Sequence, residues 1–564
     1  MANFFNESRK FALGSIDLKE IVDELEDQYS EKKEPAPLSF EDAIKWYDLL
    51  LDNAGRISAE FIWPRASEVD EEGAVFNKGE VKWADKTIEN MKTLADAGFM
   101  GGTLERKYGG LNLPNLINTI IIEMVSQGDA SLMNLFGLQD IAVTIQKFGT
   151  DEQRNRILPK FASGEVSGAM ALTEPDSGSD LQKVKLKAVE KDGEWYLDGV
   201  KHFITNGNAE IHLVLARTEK DVHDGRGLSM MLYEKDENLI VRRIENKLGI
   251  HGSPTCELQY KMAKCELVGK RRFGLIKYMM SLLNGARLAT SAQALGIAQA
   301  SYEEAVKYAN EREQFGEKIV NFPAIYRMLA EMESDIEAAR LLLYKTASAV
   351  DIHEMYEKKM NRGEKVRDKF KEAGTIAGFL TPLSKFVCTE MANKIAYDSL
   401  QVHGGVGYMK EFPIERLYRD ARITNIYEGT TQLQVVAAIG AITSGFFFKM
   451  IEEELEKTDS RPETGELRKR VEIFAAIVEK VKELDSKEFL NYVSNYLVDI
   501  ASLIFRSLLL LQNPDSSERV NSIYKYFDLR ADRKINYFTE LISSLIYEYG
   551  SEISGIRKKF QKSI

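Results

Sequence analysis

Apolar residues recur at three- and four-residue spacing through the first 164 residues, a period that predicts helices. Ile21, Val22, Leu25 and Tyr29 form one such stripe; Ala43, Trp46, Tyr47 and Leu50 form the next, beyond a break at Pro35 to Pro37. Gly98 to Pro114, with two Gly-Gly pairs, reads as a loop, followed by buried helices at Asn118 to Met124 and Leu132 to Phe148. From Ser167 the pattern alternates. Ile211, Leu213 and Leu215 interleave with His212, Val214 and Ala216, Asp192-Gly193 marks a turn, and strands continue to about Val268.

Helical spacing returns at Gly274 to Arg312, through Met279, Leu283, Ala286, Thr290, Ala294 and Ile297. At about 1.5 Å per residue this helix exceeds ~50 Å and must run along a whole bundle. Further helices are predicted at Ile325 to Val350 and Lys385 to Val402, with the charged stretch His353 to Lys371 as a solvated helical extension between them. Beyond Ser444, Ile473, Ile477, Val481 and Leu484 form an apolar stripe. Val498 to Leu511 is apolar but carries Asp499 and Arg506, which argues for a packed helix rather than a transmembrane segment. Ile556 to Lys562 reads as a frayed basic helix end. The expected fold class is α+β and multidomain: an N-terminal helical domain (1–166), a middle barrel- or sandwich-like β-domain (167–272), a helical bundle (273–443) and an extra C-terminal helical domain (444–564).

With 44% hydrophobic and 29% charged residues over 564 positions, the chain has the make-up of a soluble globular protein. Its net charge of −12 argues against nucleic acid as the main partner. Cys256, Cys265 and Cys388 show no metal-binding or disulfide spacing, and the first residues lack a secretory signal, so the expected location is cytoplasmic and no metal site is expected.

The candidate chemistry centres on Ile426-Tyr427-Glu428-Gly429-Thr430. A carboxylate among apolar and neutral polar groups loses hydration, its pKa rises, and it becomes a general base. Gly429 lets backbone approach a ligand closely; Thr430 and Gln432 offer hydrogen bonds to a polar cofactor. The same residues also read as a helix start with Thr430 or Thr431 as its cap. Met170 to Asp180 leaves a strand through a Pro- and Gly-containing turn whose Thr173 and Ser179 hydroxyls suit a flat heteroaromatic ring, or simply a surface turn. Lys201 to Gly207 reads as a strand ending in an Asn-Gly turn, and His202 receives no role. Asn284-Gly285-Ala286-Arg287 opens the long helix with a guanidinium suited to phosphate or carbonyl groups, or to a surface salt bridge. Two further strings are Arg312-Glu313-Gln314-Phe315-Gly316 and Gln401-Val402-His403-Gly404-Gly405-Val406-Gly407-Tyr408.

In this order, over roughly Gly98 to Ile439, these strings resemble the acyl-CoA dehydrogenase family. The resemblance implies FAD as cofactor and Glu428 as the base that takes the α-proton of an acyl-CoA. It places Met170, Leu172, Thr173, Gly178, Ser179, Phe203, Ile204 and Thr205 at the flavin, with Phe203 against the ring and Ser179 also touching the CoA part. Asn284, Arg287, Tyr427 and Gly429 fall at the substrate. Arg312 and Phe315, with Gln401, Gly404 and Gly405, fall at the flavin of a neighbouring subunit, while Thr430 and Gln432 complete the cofactor contacts. Two departures from the family pattern stand out: Asp176-Ser177, and Pro323 in place of a glutamine. Gly137 hints at a deep acyl pocket that Met133 could fill.

The implied reaction is flavin-dependent α,β-dehydrogenation of an acyl-CoA to the 2-enoyl-CoA, as in fatty-acid β-oxidation, with electrons passed to electron-transfer flavoprotein. The extra C-terminal segment resembles the very-long-chain members and implies a homodimer. Two alternatives belong to other classes: an inactive acyl-CoA- or flavin-binding interaction protein, and an acyl-CoA oxidase.

Overall fold

The computed structural model describes residues 2–31, 35–137, 140–458, 461–513 and 517–550, with Ile553 and Gly555. The N-terminal part is helical. Ser39 caps the helix Phe40–Ile57 by accepting from the Asp42 amide, and Ala43, Tyr47 and Leu51 face inward. The Ile21 stripe is shorter than its spacing suggests: the helix Lys19–Leu25 ends early, and Asp27, Gln28 and Tyr29 take positive φ in a tight turn. Gly98 to Pro114 is irregular apart from two short 3₁₀ turns. It leads into Asn115–Gly128, a helix whose first amides, at Asn115 and Leu116, donate to the Asp351 carboxylate at 2.7 and 3.0 Å. The stretch Leu132 to Phe148 is two helices, Ala130–Phe136 and Asp140–Phe148; positions 138 and 139 between them lie outside the described residues.

The middle part is a closed ring of strands. Ile211–Arg217 pairs with Leu228–Glu234, which pairs with Thr255–Leu267, then Glu194–Thr205, then Lys187–Lys191, which returns to Ile211–Arg217. The hairpin at Asp192-Gly193 has positive φ at both residues, the turn that matches strand twist. Ile211–Arg217 alternates, yet both its faces are buried. Ile211, Leu213 and Leu215 pack on the helical part with Ile157 and Phe161, while Val214 and Ala216 share the barrel interior with Tyr233 and Tyr260. His212 is also interior, bonded to the Tyr260 hydroxyl and the Ala209 carbonyl, and burial pulls its pKa down to about 4.

The bundle is built on Met280–Glu311, Pro323–Asn361 and Arg367–His403. Met280–Glu311 crosses Asn115–Gly128 in backbone contact: a Cβ at Gly296 would meet the Glu123 carbonyl at 2.4 Å. The predicted helices at Ile325 to Val350 and Lys385 to Val402 are segments of the second and third. His353 to Lys371 is therefore not one extension but two helix ends with a turn between them, where Gly363 takes positive φ.

Four more helices follow: Phe446–Glu456, Glu463–Glu483, Lys487–Gln512 and Glu518–Tyr549. The stripe on Glu463–Glu483 is rotated from expectation, since Ile473 is 45% exposed while Leu467, Phe474, Ile477 and Val481 face inward. Lys487–Gln512 is long and apolar enough to cross a membrane, but it is buried among its helical neighbours. There the Arg506 guanidinium lies over the Phe527 ring. Ile556 to Lys562 lies outside the described residues.

Ion pairs clamp this extension to the bundle. Arg530 grips Asp335 through both nitrogens at 3.1 and 3.0 Å, and Arg519 reaches Glu333 and Glu337. Deeper, the unexposed Glu123 carboxylate accepts from Arg9 (2.8 Å), Arg340 (3.2 Å) and the Tyr344 hydroxyl (2.8 Å). Removing one member of such a cluster strands the others in a medium that cannot solvate them. Glu123→Leu is therefore expected to destabilise the fold by about 3–5 kcal/mol, read as a lowered thermal and denaturant midpoint.

Candidate functional site

Helix, barrel and bundle meet at a cavity of about 100 Å³. Its walls are Met133, Asn134 and Gly137 from the N-terminal part, Met170, Leu172, Thr173, Phe203, Ile204 and Thr205 from the barrel, Ala286, Ala289 and Thr290 from the long helix, and Tyr427 with Glu428. A larger hollow, about 1010 Å³, opens between the N-terminal helices beside Phe5, Phe40 and Ile44, and it holds none of the motif residues.

Glu428 occupies the link between the helices Pro413–Thr424 and Thr431–Thr443, with φ of 54°, a left-handed conformation unusual for glutamate; Gly429 follows at 93°. Thr430 caps the second helix by accepting from the Leu433 amide, which is the capping expected of this stretch. Glu428 is half-buried, but its Oε2 is enclosed and has no hydrogen-bond partner among the described residues. Burial raises the Glu428 pKa above the usual carboxylate value, and the charges of Lys385 and Arg287 oppose that rise.

The segment is braced on both sides. The Tyr427 hydroxyl lies within hydrogen-bond reach of the Asn134 Oδ1, at 3.1 Å, and of the Gln293 Oε1, which share its single proton, and the Gln293 Nε2 donates to the Ala130 carbonyl. Lys385 Nζ donates to the Tyr427 carbonyl at 2.8 Å and the Gly429 carbonyl at 2.6 Å, and Gln434 adds a second bond to Gly429.

The barrel wall has a parallel arrangement. Lys201 Nζ, fully buried, donates to the Leu172 carbonyl at 2.7 Å and to Glu174 at 3.0 Å, and Glu174 accepts from the Lys185 and Leu186 amides. Burial lowers the Lys201 pKa to about 8. Register slips between Lys201 and Ile204 against the neighbouring strand, and this bulge turns Phe203 out at φ 58°, with its ring 58% exposed and stacked on His202 at 3.9 Å. His202, Glu245 and Glu257 sit close together, and Arg243 pairs with both carboxylates.

Eight of the residues expected at the catalytic, cofactor or substrate site line this cavity, Met170, Leu172, Thr173, Phe203, Ile204, Thr205, Tyr427 and Glu428, together with Met133 and Gly137 of the expected acyl pocket. Gly429 adjoins it, and Arg287 bears electrostatically on Glu428, with its Nη1 on Asn284 and its enclosed Nε unpartnered. Gly178, Ser179 and Gln432 are exposed beyond the rim. Arg312, Phe315, Gln401, Gly404 and Gly405 do not converge on the cavity; they form an exposed surface, with Phe315 97% exposed at the tip of a two-stranded hairpin. Met133 fills the space beside Gly137, where an added Cβ would meet its Sδ at 2.7 Å. Lys385, Gln293 and Asn134 were not singled out from sequence. For Lys385 there was a signal, a lone lysine between Leu383 and Phe386-Val387 in an otherwise apolar helical run.

Comparison with known proteins gives matches along most of the chain. Family models described as the acyl-CoA dehydrogenase N-terminal, middle and C-terminal domains match residues 47–165, 169–263 and 276–439, and one described as acyl-CoA dehydrogenase C terminal matches 443–546. An acyl-CoA dehydrogenase of Bacillus subtilis is 38% identical over 352 residues, covering 61% of this chain and 86% of the relative. The structure of butyryl-CoA dehydrogenase from Megasphaera elsdenii is 32% identical, with a TM-score of 0.60 over 70% of this chain and 97% of that one. An acyl-CoA dehydrogenase from Bacillus anthracis complexed with FAD shares the fold over 89% of both chains, at a TM-score of 0.74 and 23% identity.

The brace beneath the cavity is testable by itself. Tyr427→Phe leaves the Gln293 Oε1 without its phenolic donor, while the Asn134 Oδ1 keeps the Gln293 Nε2, so a loss of about 1–3 kcal/mol is expected in unfolding measurements.

Proposed function

The chain belongs to the acyl-CoA dehydrogenase family and is an oxidoreductase acting on CH–CH bonds; on that premise we propose that it converts an acyl-CoA thioester to the 2-enoyl-CoA, with Glu428 as the base. The observation that carries the reading is the enclosed, unpartnered Glu428 Oε2 at the wall of the cavity. Nothing among the described residues satisfies that oxygen, and a weakly acidic C–H bond is what a desolvated carboxylate suits.

The cofactor is FAD. The residues fit it: the barrel wall offers neutral hydroxyls and backbone from Leu172 to Thr173 and from Ile204 to Thr205, and the Phe203 ring stands exposed beside them. When bound, the flavin supplies the acceptor for the hydride that leaves the β-carbon. The chain's own residues do the rest. Glu428 takes the α-proton, and its backbone amide, without a backbone partner among the described residues, meets the thioester carbonyl. Ala286 and Ala289 keep the cavity wall narrow, which leaves width for a flat chain. Arg287, with an unsatisfied Nε, and Asn284 receive the CoA part.

Arg312, Phe315, Gln401, Gly404 and Gly405 serve the flavin of a second copy, an assignment supported by their exposure and by Tyr408, 76% exposed beside them. Electrons leave to an electron-transfer flavoprotein, in the cytoplasm, within β-oxidation. The four C-terminal helices cover the bundle face that bears Glu333, Asp335 and Glu337, and with that face occupied the assembly is a homodimer.

Glu428→Gln keeps the size of the side chain and removes the base. FAD should stay bound while flavin bleaching by acyl-CoA falls by about 10²–10⁴-fold, and bleaching at the normal rate would sink the assignment. Light scattering should give a dimer for the full chain. Deletion of residues 445–564 uncovers apolar helix faces and should give aggregates or tetramers; a full-length tetramer, or a well-behaved dimer after deletion, refutes the covering role.

A further inference from the structure

Lys385 stands in the middle of the helix Arg367–His403 with no exposed surface, next to Leu383 and Phe386. A cation in such a place is costly unless it has work that an apolar side chain cannot do. Its Nζ spends two donors on the carbonyls of Tyr427 and Gly429, the residues on either side of Glu428. Those two carbonyls can reach one nitrogen only because the chain between them turns through positive φ at Glu428 and Gly429. A glutamate held in that region persists only when its surroundings over-determine it.

We infer that Lys385 is a positioning residue for Glu428: by gripping the carbonyls before and after it, the ammonium holds the left-handed turn that presents the carboxylate to the cavity and sets a fixed positive charge behind it. This rests on the reading of Glu428 as the base. Two cations face Glu428, Lys385 from its helix and Arg287 from Met280–Glu311, and the Tyr427 phenol neighbours it on its own segment; Lys385 in turn feels Glu390. Burial lowers the Lys385 pKa to about 8, while the Glu428 carboxylate counters that shift, as expected of neighbouring opposite charges. Arg287 is half-buried on the long helix, whereas Lys385 is fully buried in the bundle. The second support of the turn, Gln434 on the Gly429 carbonyl, is neutral and leaves the Tyr427 carbonyl to Lys385 alone among the described residues.

The test uses the FAD-loaded enzyme with Lys385→Met, Lys385→Gln and Lys385→Arg, beside Glu428→Gln. FAD content and thermal unfolding are measured first, then the pH profile of flavin bleaching and the separate kcat and KM. Bleaching requires ionised Glu428, so its rate climbs with pH through the Glu428 pKa. Loss of the positive charge should move that acid limb to higher pH by about half a unit or more in the Met and Gln variants. The Met variant should also lose about tenfold or more in kcat with little change in KM, because the base is misaimed rather than the substrate lost. Gln, which keeps a donor, should recover part of kcat without restoring the limb; Arg should keep the limb near its original place. A Met variant with unchanged kcat and limb overturns the inference. So does an Arg variant that binds FAD but matches Gln in both measures, and so does failure of all three to fold or bind FAD, which would make the lysine purely structural. If Glu428→Gln bleaches normally, the reading of the base fails; if it is silent while Lys385→Met behaves as the original enzyme, only the role of Lys385 fails.

Discussion

Glu123 sits unexposed at the centre of the protein, and two other helices are placed by satisfying its carboxylate directly, while a third is tied in through Arg340. Arg9 comes from the first helix, Arg340 and Tyr344 from Pro323–Asn361, while Gln299 of the long helix accepts from Arg340 and so closes the ring. Buried charge of this kind is poor glue compared with apolar packing, but it tolerates no shift of register, since any slip leaves a charge unpaired in a low dielectric. Through Ser8 and Glu337 the same network reaches Arg519 on the last helix. The N-terminal helix, the bundle and the C-terminal extension are thus keyed to one another, and Gly296 lets the long helix lie close enough to Asn115–Gly128 for the key to fit.

That rigid frame matters because the cavity is assembled from loops. The 172–174 turn and the 427–429 turn carry the groups that face it, and loops by themselves are the least ordered parts of a fold. Each is held from behind by a fully buried lysine donating to its carbonyls, Lys201 for the first and Lys385 for the second. The His202 amide donates to the Thr173 carbonyl, which ties the bulge at Phe203 to the first turn as well. Lys201 gives its charge to the Leu172 carbonyl and to Glu174, and Lys385 gives its own to backbone behind Glu428, so burial raises the carboxylate's pKa while the Lys385 and Arg287 charges moderate that rise.

The helices of the bundle and the barrel strands were legible because their periods follow from repeated burial of one face or of both, and burial is written in residue type. Where two elements share one apolar run, the period is silent. Nothing in Leu132 to Phe148 announces a break between helices, and the rotation of the Glu463–Glu483 stripe away from Ile473 depends on where its neighbours lie. The charged stretch from His353 to Lys371 looked continuous because solvent accepts a helix end as readily as a helix middle.

Sequence alone determined the candidate chemistry of the central stretch, an isolated carboxylate between an aromatic residue and a glycine, and the order of the motifs around it, because residue type sets what a side chain can donate, accept or ionise. It could not say that Glu428 would be left unpartnered, since a missing hydrogen bond is a property of everything that surrounds an atom. Nor could residue type and spacing by themselves place Met170, Leu172, Thr173 and Phe203 at one cavity with Glu428 while leaving Arg312, Phe315 and Gln401 exposed outside it. Those distinctions depend on contacts between residues hundreds of positions apart, such as Lys147 with Glu354 or Ser8 with Glu337, and such contacts exist only once the chain has closed on itself.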